Sequence, residues 1–200
     1  KVIGDYAFFF FTTLEDITVP HGVTSIGVGA FSDCRGIKTA KISANVTVIP
    51  EKCFYYCEEL LSVNLPSSAT EIGANAFYRC YKLPEVSIPS SVTKLGNSAF
   101  AGTKAAKKII LPEGLTSIGE YCFYMSGIED VKIPKGITTL PNNCFAEVGA
   151  TTFVVPPTVT YLGQNFAFNK AGYYVVMENQ TPCSIHSSPF VKNYLRRIYV

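Results

Sequence analysis

The chain has 200 residues, 48% of them hydrophobic, and a formal net charge of +2. That is enough apolar material for a large core, and too little charge to point to nucleic acid. The longest apolar run, Ala7 to Phe11, is far too short to span a bilayer, and Lys1 does not open a charged leader with an apolar stretch behind it.

The first copy of an internal repeat begins at once, with Ile3-Gly4 and then Ala7-Phe8. Phe8, Phe31, Phe54, Phe77, Phe100 and Phe123 are each 23 residues apart, and Phe145 follows after 22. Self-similarity at this period is the mark of a solenoid. The start falls in mid-repeat, so further residues are expected upstream. The first strand closes at Val19-Pro20, Thr24 follows the corner, and Ile26-Gly27 opens the second copy. The second copy departs from the pattern at Ile42-Ser43, where other copies carry an apolar residue and Pro.

Residues 54 to 76 show one copy in full. Leu60, Val63 and Leu65 alternate with polar Ser62 and Asn64, the period of a strand with one buried face. Pro66 ends it, because proline cannot donate a ladder hydrogen bond. Ser67 and Ser68 make the corner, and Ala69 and Ile72 point inward in a second short strand around Thr70 and Glu71. Gly73 turns the chain. Residues 74 to 78 are expected to form one helical or 3-10 turn that sets Ala76 and Phe77 against the core. A Thr column (Thr24, Thr47, Thr70, Thr93, Thr116, Thr138, Thr160) either forms a hydroxyl-bonded ladder or favours extended backbone.

The fifth copy departs from the others, with Thr103 and Ala106 where neighbours carry Cys and Leu, and a basic spot at Lys104, Lys107 and Lys108. The period shortens near 146–152. An eighth copy opens at Leu162-Gly163, where the Phe slips to Phe168 or is replaced by Ala167. The expectation is an α/β-type solenoid, mostly β and coil with short helical turns. About eight repeats would stack a parallel sheet roughly 40 Å long, since strands lie ~4.8 Å apart.

The segments IPSSVTKLGNSAF and LPEGLTSIGEYCF resemble the BspA-like class of leucine-rich repeats. Its pattern runs approximately L-x-x-V-x-I-P-x-x-V-T-x-I-G-x-x-A-F-x-x-C. The resemblance covers residues 1 to about 170 and implies a right-handed leucine-rich repeat superhelix. The tail from Tyr173, with Thr181-Pro182 and a final Ile198-Tyr199-Val200, is similar to the ending usual in that class. It implies a capping segment over 171–200 on a solenoid of 1–170. The resemblance also implies an exported or surface-attached, non-enzymatic protein of a host-associated bacterium, acting in adhesion or cell contact. A leader would then have been removed or lie upstream. A structural spacer within a longer surface protein is the alternative.

Seven cysteines invite a disulfide reading, but six of them fall in two packing columns. Cys34, Cys57 and Cys80 lie three residues after a Phe; Cys53, Cys122 and Cys144 lie just before one. In-register side chains point in parallel, which disfavours the disulfide dihedral, so buried free thiols are expected. Cys183 and His186 have C-x-x-H spacing without two further zinc ligands. His21 sits at an ordinary Pro-His-Gly corner. Asn45-Val46-Thr47 and Asn179-Gln180-Thr181 fit the N-glycosylation pattern, which carries no meaning in a bacterial protein. There is no acid/base pair, nucleophile elbow or phosphate loop, so neither catalysis nor a cofactor is expected.

Candidate binding residues lie on two surfaces. One is the outward face of the strands, with Lys41, Asn64, Glu85, Lys108 and Lys132. The other is an aromatic strip one residue after the core Phe, formed by Phe9, Tyr55, Tyr78 and Tyr124 with Tyr56 beside it. A protein is the expected partner, with a glycan as the alternative. The exposed N-terminal edge, Phe8 to Phe11, could also pair two copies.

Overall fold

The computed structural model describes residues 1–169, 172–178, 184–185 and 195–199. Cys183, His186, Thr181-Pro182, Asn179-Gln180 and Val200 lie outside them. Every strand pairing among the described residues is parallel, and partners are successive copies of the repeat. Two ladders run along the solenoid. The first takes the three-residue strands, from Asp16–Thr18, Thr39–Lys41 and Ser62–Asn64 to Glu85–Ser87 and Lys108–Ile110. Single bridges Lys108↔Asp130 and Lys132↔Val154 carry it across the shortened copy to Thr152–Val155, Tyr173–Met177 and Leu195–Tyr199. The second takes two-residue strands in three pieces: Val2–Ile3 with Ser25–Ile26, Val48–Ile49 through Glu71–Ile72 to Ser117–Ile118, and Thr139–Leu140 through Tyr161–Leu162 to Ser184–Ile185. Alternation decides which side chains enter the core. Ile17, Ala40, Val86, Ile109, Val131 and Phe153 are buried, each between two outward residues.

The segment expected to be a helical or 3-10 turn is neither; no described residue is helical. It is a run of tight turns with two left-handed residues per coil, such as Lys52 (φ 55°) and Tyr56 (φ 56°), or Asn75 (φ 56°) and Arg79 (φ 57°). An i to i+3 bond over a residue with positive φ at i+2 is type II turn geometry. The N–H groups then alternate in their use. Cys53 N, Tyr55 N and Cys57 N donate within the coil to Pro50, Lys52 and Phe54. Lys52 N, Phe54 N and Tyr56 N donate to Ala74, Ala76 and Tyr78 of the next coil. A helical turn would keep its N–H bonds to itself and leave the stacked neighbour's carbonyls unpaired. The left-handed residues cost of order 1 kcal/mol each, and a third inter-coil ladder offsets that cost.

The phenylalanines form the axis of the core. Consecutive rings from Phe8 to Phe145 stack with centroids 5.1–5.7 Å apart and planes within 14° of parallel. Near-parallel rings at that separation are offset-stacked, a favoured aromatic arrangement. At the eighth copy Phe145 N donates to Phe166 O, just as Phe123 N donates to Cys144 O. Ala167 therefore stands in the Phe column and Phe166 in the small-residue column, and both are buried. Large and small have changed places. Phe153 and Phe166 meet edge to face at 6.3 Å where the parallel stack ends.

Both cysteine columns are buried and free. Cys34 Sγ, Cys57 Sγ and Cys80 Sγ donate to the carbonyls of Phe8, Phe31 and Phe54, one coil back. Burial pushes the Cys53, Cys57, Cys80, Cys122 and Cys144 thiols well above their usual range. In the Thr column the hydroxyl bonds to backbone and not to another hydroxyl. Thr70 Oγ1 and Thr70 N both donate to Thr47 O, and Thr93 and Thr116 repeat the pattern.

Candidate functional site

Among the described residues no group of three His, Cys, Asp or Glu is placed to hold a metal, and no helix is long and apolar enough to cross a membrane. The surfaces that remain are the outward strand face and the edge formed by the turns. On the strand face Lys41, Asn64, Glu85, Lys108 and Lys132 are all exposed. Register sets Lys108 beside Glu85 and Asp130, and Lys132 Nζ donates to Glu113 at 2.8 Å. That contact holds the Glu113 carboxyl below its usual range. Elsewhere the exposed charges pair from coil to coil, as in Lys38–Glu15, Lys82–Glu59, Lys94–Glu71 and Lys107–Glu129. Exposed pairs of this kind contribute little each. The face is mixed in charge, and its one strongly exposed apolar side chain among the strands, Ile110, stands between Ser87 and Lys132 without an aromatic neighbour.

The turn edge is different. The aromatic strip is not continuous but divides into three pieces. Phe9 is exposed and meets Tyr6 edge-on at 6.0 Å. Tyr55, Tyr56 and Tyr78 form a half-buried cluster, with Tyr55 stacked on Tyr78 at 5.1 Å and Tyr56 at 4.6 Å from Tyr55. Desolvation, and then the neighbouring Tyr56, raise the Tyr55 hydroxyl pKa. The Arg79 guanidinium lies 5.2 Å from the Tyr56 ring centre and 5.4 Å from that of Tyr78; Arg35 reaches Tyr56 from the other side at 5.8 Å. Tyr124 stands apart and meets Tyr121 edge-on at 5.6 Å.

Between Tyr78 and Tyr124 the column residue is Ala101, which is buried, and the next is Gly102 (φ 76°). The missing side chains open a notch of about 100 Å³, lined by Tyr78, Arg79, Tyr81, Lys104, Tyr124 and Met125. The Lys104 ammonium sits 5.3 Å from the Tyr81 ring centre. A second hollow of about 330 Å³ adjoins it, shares Lys104 and Met125, and extends to Glu147 and Gly149. Sequence reasoning found Tyr78 and Tyr124 but not Arg79, Tyr81 or Met125, and it placed Lys104 only in a basic spot with Lys107 and Lys108. The available signal was the departure of copy five from its columns. A gap shows only when the residues on either side are known to wall it.

The repeat columns, the parallel ladders and the stacked Phe axis correspond to a known family. The profile of the BspA type leucine rich repeat region matches six copies, over residues 1–105 and 70–196. The chain belongs to the BspA-type leucine-rich repeat family. Solved structures agree with that membership. A leucine-rich repeat protein from Bacteroides ovatus is 25% identical over 98% of this BspA-type chain and 58% of its own, with a TM-score of 0.72. The T. pallidum leucine rich repeat protein is 20% identical over 85% of this chain and 83% of its own, with a TM-score of 0.71. A leucine rich cell surface protein from Faecalibacterium prausnitzii is 23% identical over 100% of this chain and 69% of its own, with a TM-score of 0.53. The last two likenesses are of fold. The BspA-type chain spans only 58% of the length of the Bacteroides ovatus protein. No curated protein matches it.

Proposed function

We propose that this chain is a non-enzymatic binding module, displayed at or beyond the cell surface, that engages a protein partner in adhesion or cell contact. The observation that carries the reading is the turn edge. Two cations rest on tyrosine rings beside a notch, on an edge where Arg35, Lys52 and Lys107 each hold a carboxylate. Tyr and Arg are the residue types that dominate binding energy at protein interfaces. The leucine-rich repeat solenoid is in general a scaffold for protein interaction, and one structural neighbour is described as a cell surface protein. The test is a binding screen of the intact chain against host matrix proteins, bacterial surface proteins and a glycan array. Saturable binding to one or more proteins is expected, and silence across all three sinks the reading.

The relative lengths favour a second reading. A chain that spans 58% of the Bacteroides ovatus protein fits a spacer whose active domain lies elsewhere in a longer parent. Replacing this region of the parent with an unrelated rigid solenoid separates the two. Retained binding supports the spacer, and lost binding supports the module.

A further inference from the structure

The ion pairs of the described residues leave out two cations on the turn edge. Arg35 takes Asp33 and Glu58, Lys107 takes Glu129, and Lys52 takes Glu51. Arg79 and Lys104 take no carboxylate. They pack on tyrosine faces instead, and they stand at the notch left by Ala101 and Gly102. Ring contacts hold both heads in place; the Tyr78 side chain takes an Arg79 donor, and no carboxylate takes the others. The guanidinium in particular keeps its fork of N–H groups, whose geometry matches a carboxylate.

We infer that the notch docks one acidic side chain of an extended segment of a partner protein, together with the apolar residue next to it. The carboxylate sits between Arg79 and Lys104, and the apolar neighbour lies on Tyr124 and the exposed Met125. Charge complementarity selects this occupant: a cationic segment would meet two like charges, and an uncharged one would leave both cations without a partner. The notch is the size of a side chain and not of a folded surface. Its walls are preformed, because Tyr78 is stacked on Tyr55 and both flanking turns are pinned by inter-coil bonds, Arg79 N to Ala101 O and Gly102 N to Tyr124 O. Preformed walls lower the ordering cost of binding. This inference rests on the protein-binding reading above and adds the place and the chemistry.

The test is selection of a random linear peptide library on the intact chain, followed by calorimetry with the enriched peptides. The expected winners carry Asp or Glu beside an apolar residue, and bind at least ten-fold more weakly when that acid becomes its amide. Two variants of the protein complete the test. Ala101→Tyr restores the column residue and fills the notch, and Arg79→Gln removes the half-buried guanidinium charge. Each is expected to lower affinity at least ten-fold while a melting curve shows the fold intact. If Ala101→Tyr fails to fold, Arg79→Gln alone decides. Winners without carboxylates, no winners, or equal binding by the variants overturns the inference. So does sensitivity to Arg79→Gln that appears only for acidic sugars on a glycan array. A surface or matrix protein that binds the wild type and both variants alike removes the notch but leaves the protein-binding function standing. A chain that binds no protein at all removes both.

Discussion

The coil at Phe54 and the coil at Phe100 have the same backbone and opposite surfaces. Both turns place two residues in the left-handed region, Lys52 and Tyr56 in one and Ser98 and Gly102 in the other. Both phenylalanines are buried and stack on the next ring, at 5.5 and 5.7 Å. Both follow a small buried residue, Cys53 or Ala99. The residues that follow differ in every respect. Tyr55-Tyr56-Cys57 builds an aromatic ridge and a buried thiol, while Ala101-Gly102-Thr103 leaves a gap. Thr103 Oγ1 also turns back to its own Phe100 carbonyl, where Cys57 Sγ reaches across to Phe31. The inward columns and the three ladders therefore hold a coil in place, and the outward columns can change without disturbing it. In a repeat scaffold of this kind a site shows as a departure from the repeat.

The comparison can be broken or sharpened in four ways, in descending order of effect. The largest is alkaline destabilisation. The folded-state thiol pKa values are raised, so the stability these groups contribute is complete below the unfolded pKa of about 8.5 and falls as pH rises above it. Above that pKa each of the five strongly raised thiols adds to the loss, on the order of 1 kcal/mol per pH unit. Denaturant midpoints between pH 7 and 9.5 measure this. A flat profile would show that the thiols are open to water, and the six column cysteines should resist thiol-labelling reagents at pH 8. Next, Phe77→Ala removes a ring held between two others and should cost about 3–5 kcal/mol, whereas Tyr78→Ala, one residue along, should cost less than half as much. Urea unfolding of the pair checks this, and equal losses would erase the distinction between core axis and outer strip.

Gly96→Ala comes third. The added Cβ would meet the Ala74 backbone nitrogen at 2.4 Å and the Gly73 carbonyl carbon at 2.6 Å. Neither backbone atom can swing aside, so a loss of about 1–3 kcal/mol is expected; an unchanged melting temperature would mean that coils slide freely. Smallest is the gain from Ala101→Tyr. A ring inserted between Tyr78 and Tyr124 should add about 0.5–1.5 kcal/mol through stacking. A loss of stability there would mean that the gap between Tyr78 and Tyr124 does not accept a ring in the column position.

Much of this fold was legible in the residues. The Phe column, the Pro and Gly stops and the alternation about Val63, Val86 and Ile109 led to the solenoid and its parallel sheet. The two cysteine columns led to buried free thiols. The turns were misread because their left-handed positions hold Lys52, Tyr56, Asn75 and Arg79, and glycine marks the spot only at Gly29 and Gly102. Inter-coil hydrogen bonds hold those residues there, and such bonds leave no trace in local propensity. The shortened copy was visible as a change of period. The exchange of Phe166 and Ala167 was visible only as a missing Phe. Of the candidate site, Tyr78 and Tyr124 were named from the strip, and Arg79, Tyr81 and Met125 were not. Arg79 and Met125 directly follow strip residues, but only the fold shows that they face one gap.

By itself the sequence determined the period, the stacking direction and the identity of the core, because a buried position repeated in every coil admits few residue types. Tertiary structure alone decided two things. The turn backbone was settled by hydrogen bonds between coils that no single coil contains. The notch was settled by where three neighbouring coils place their side chains, since a cavity belongs to the residues around it and to none of them singly.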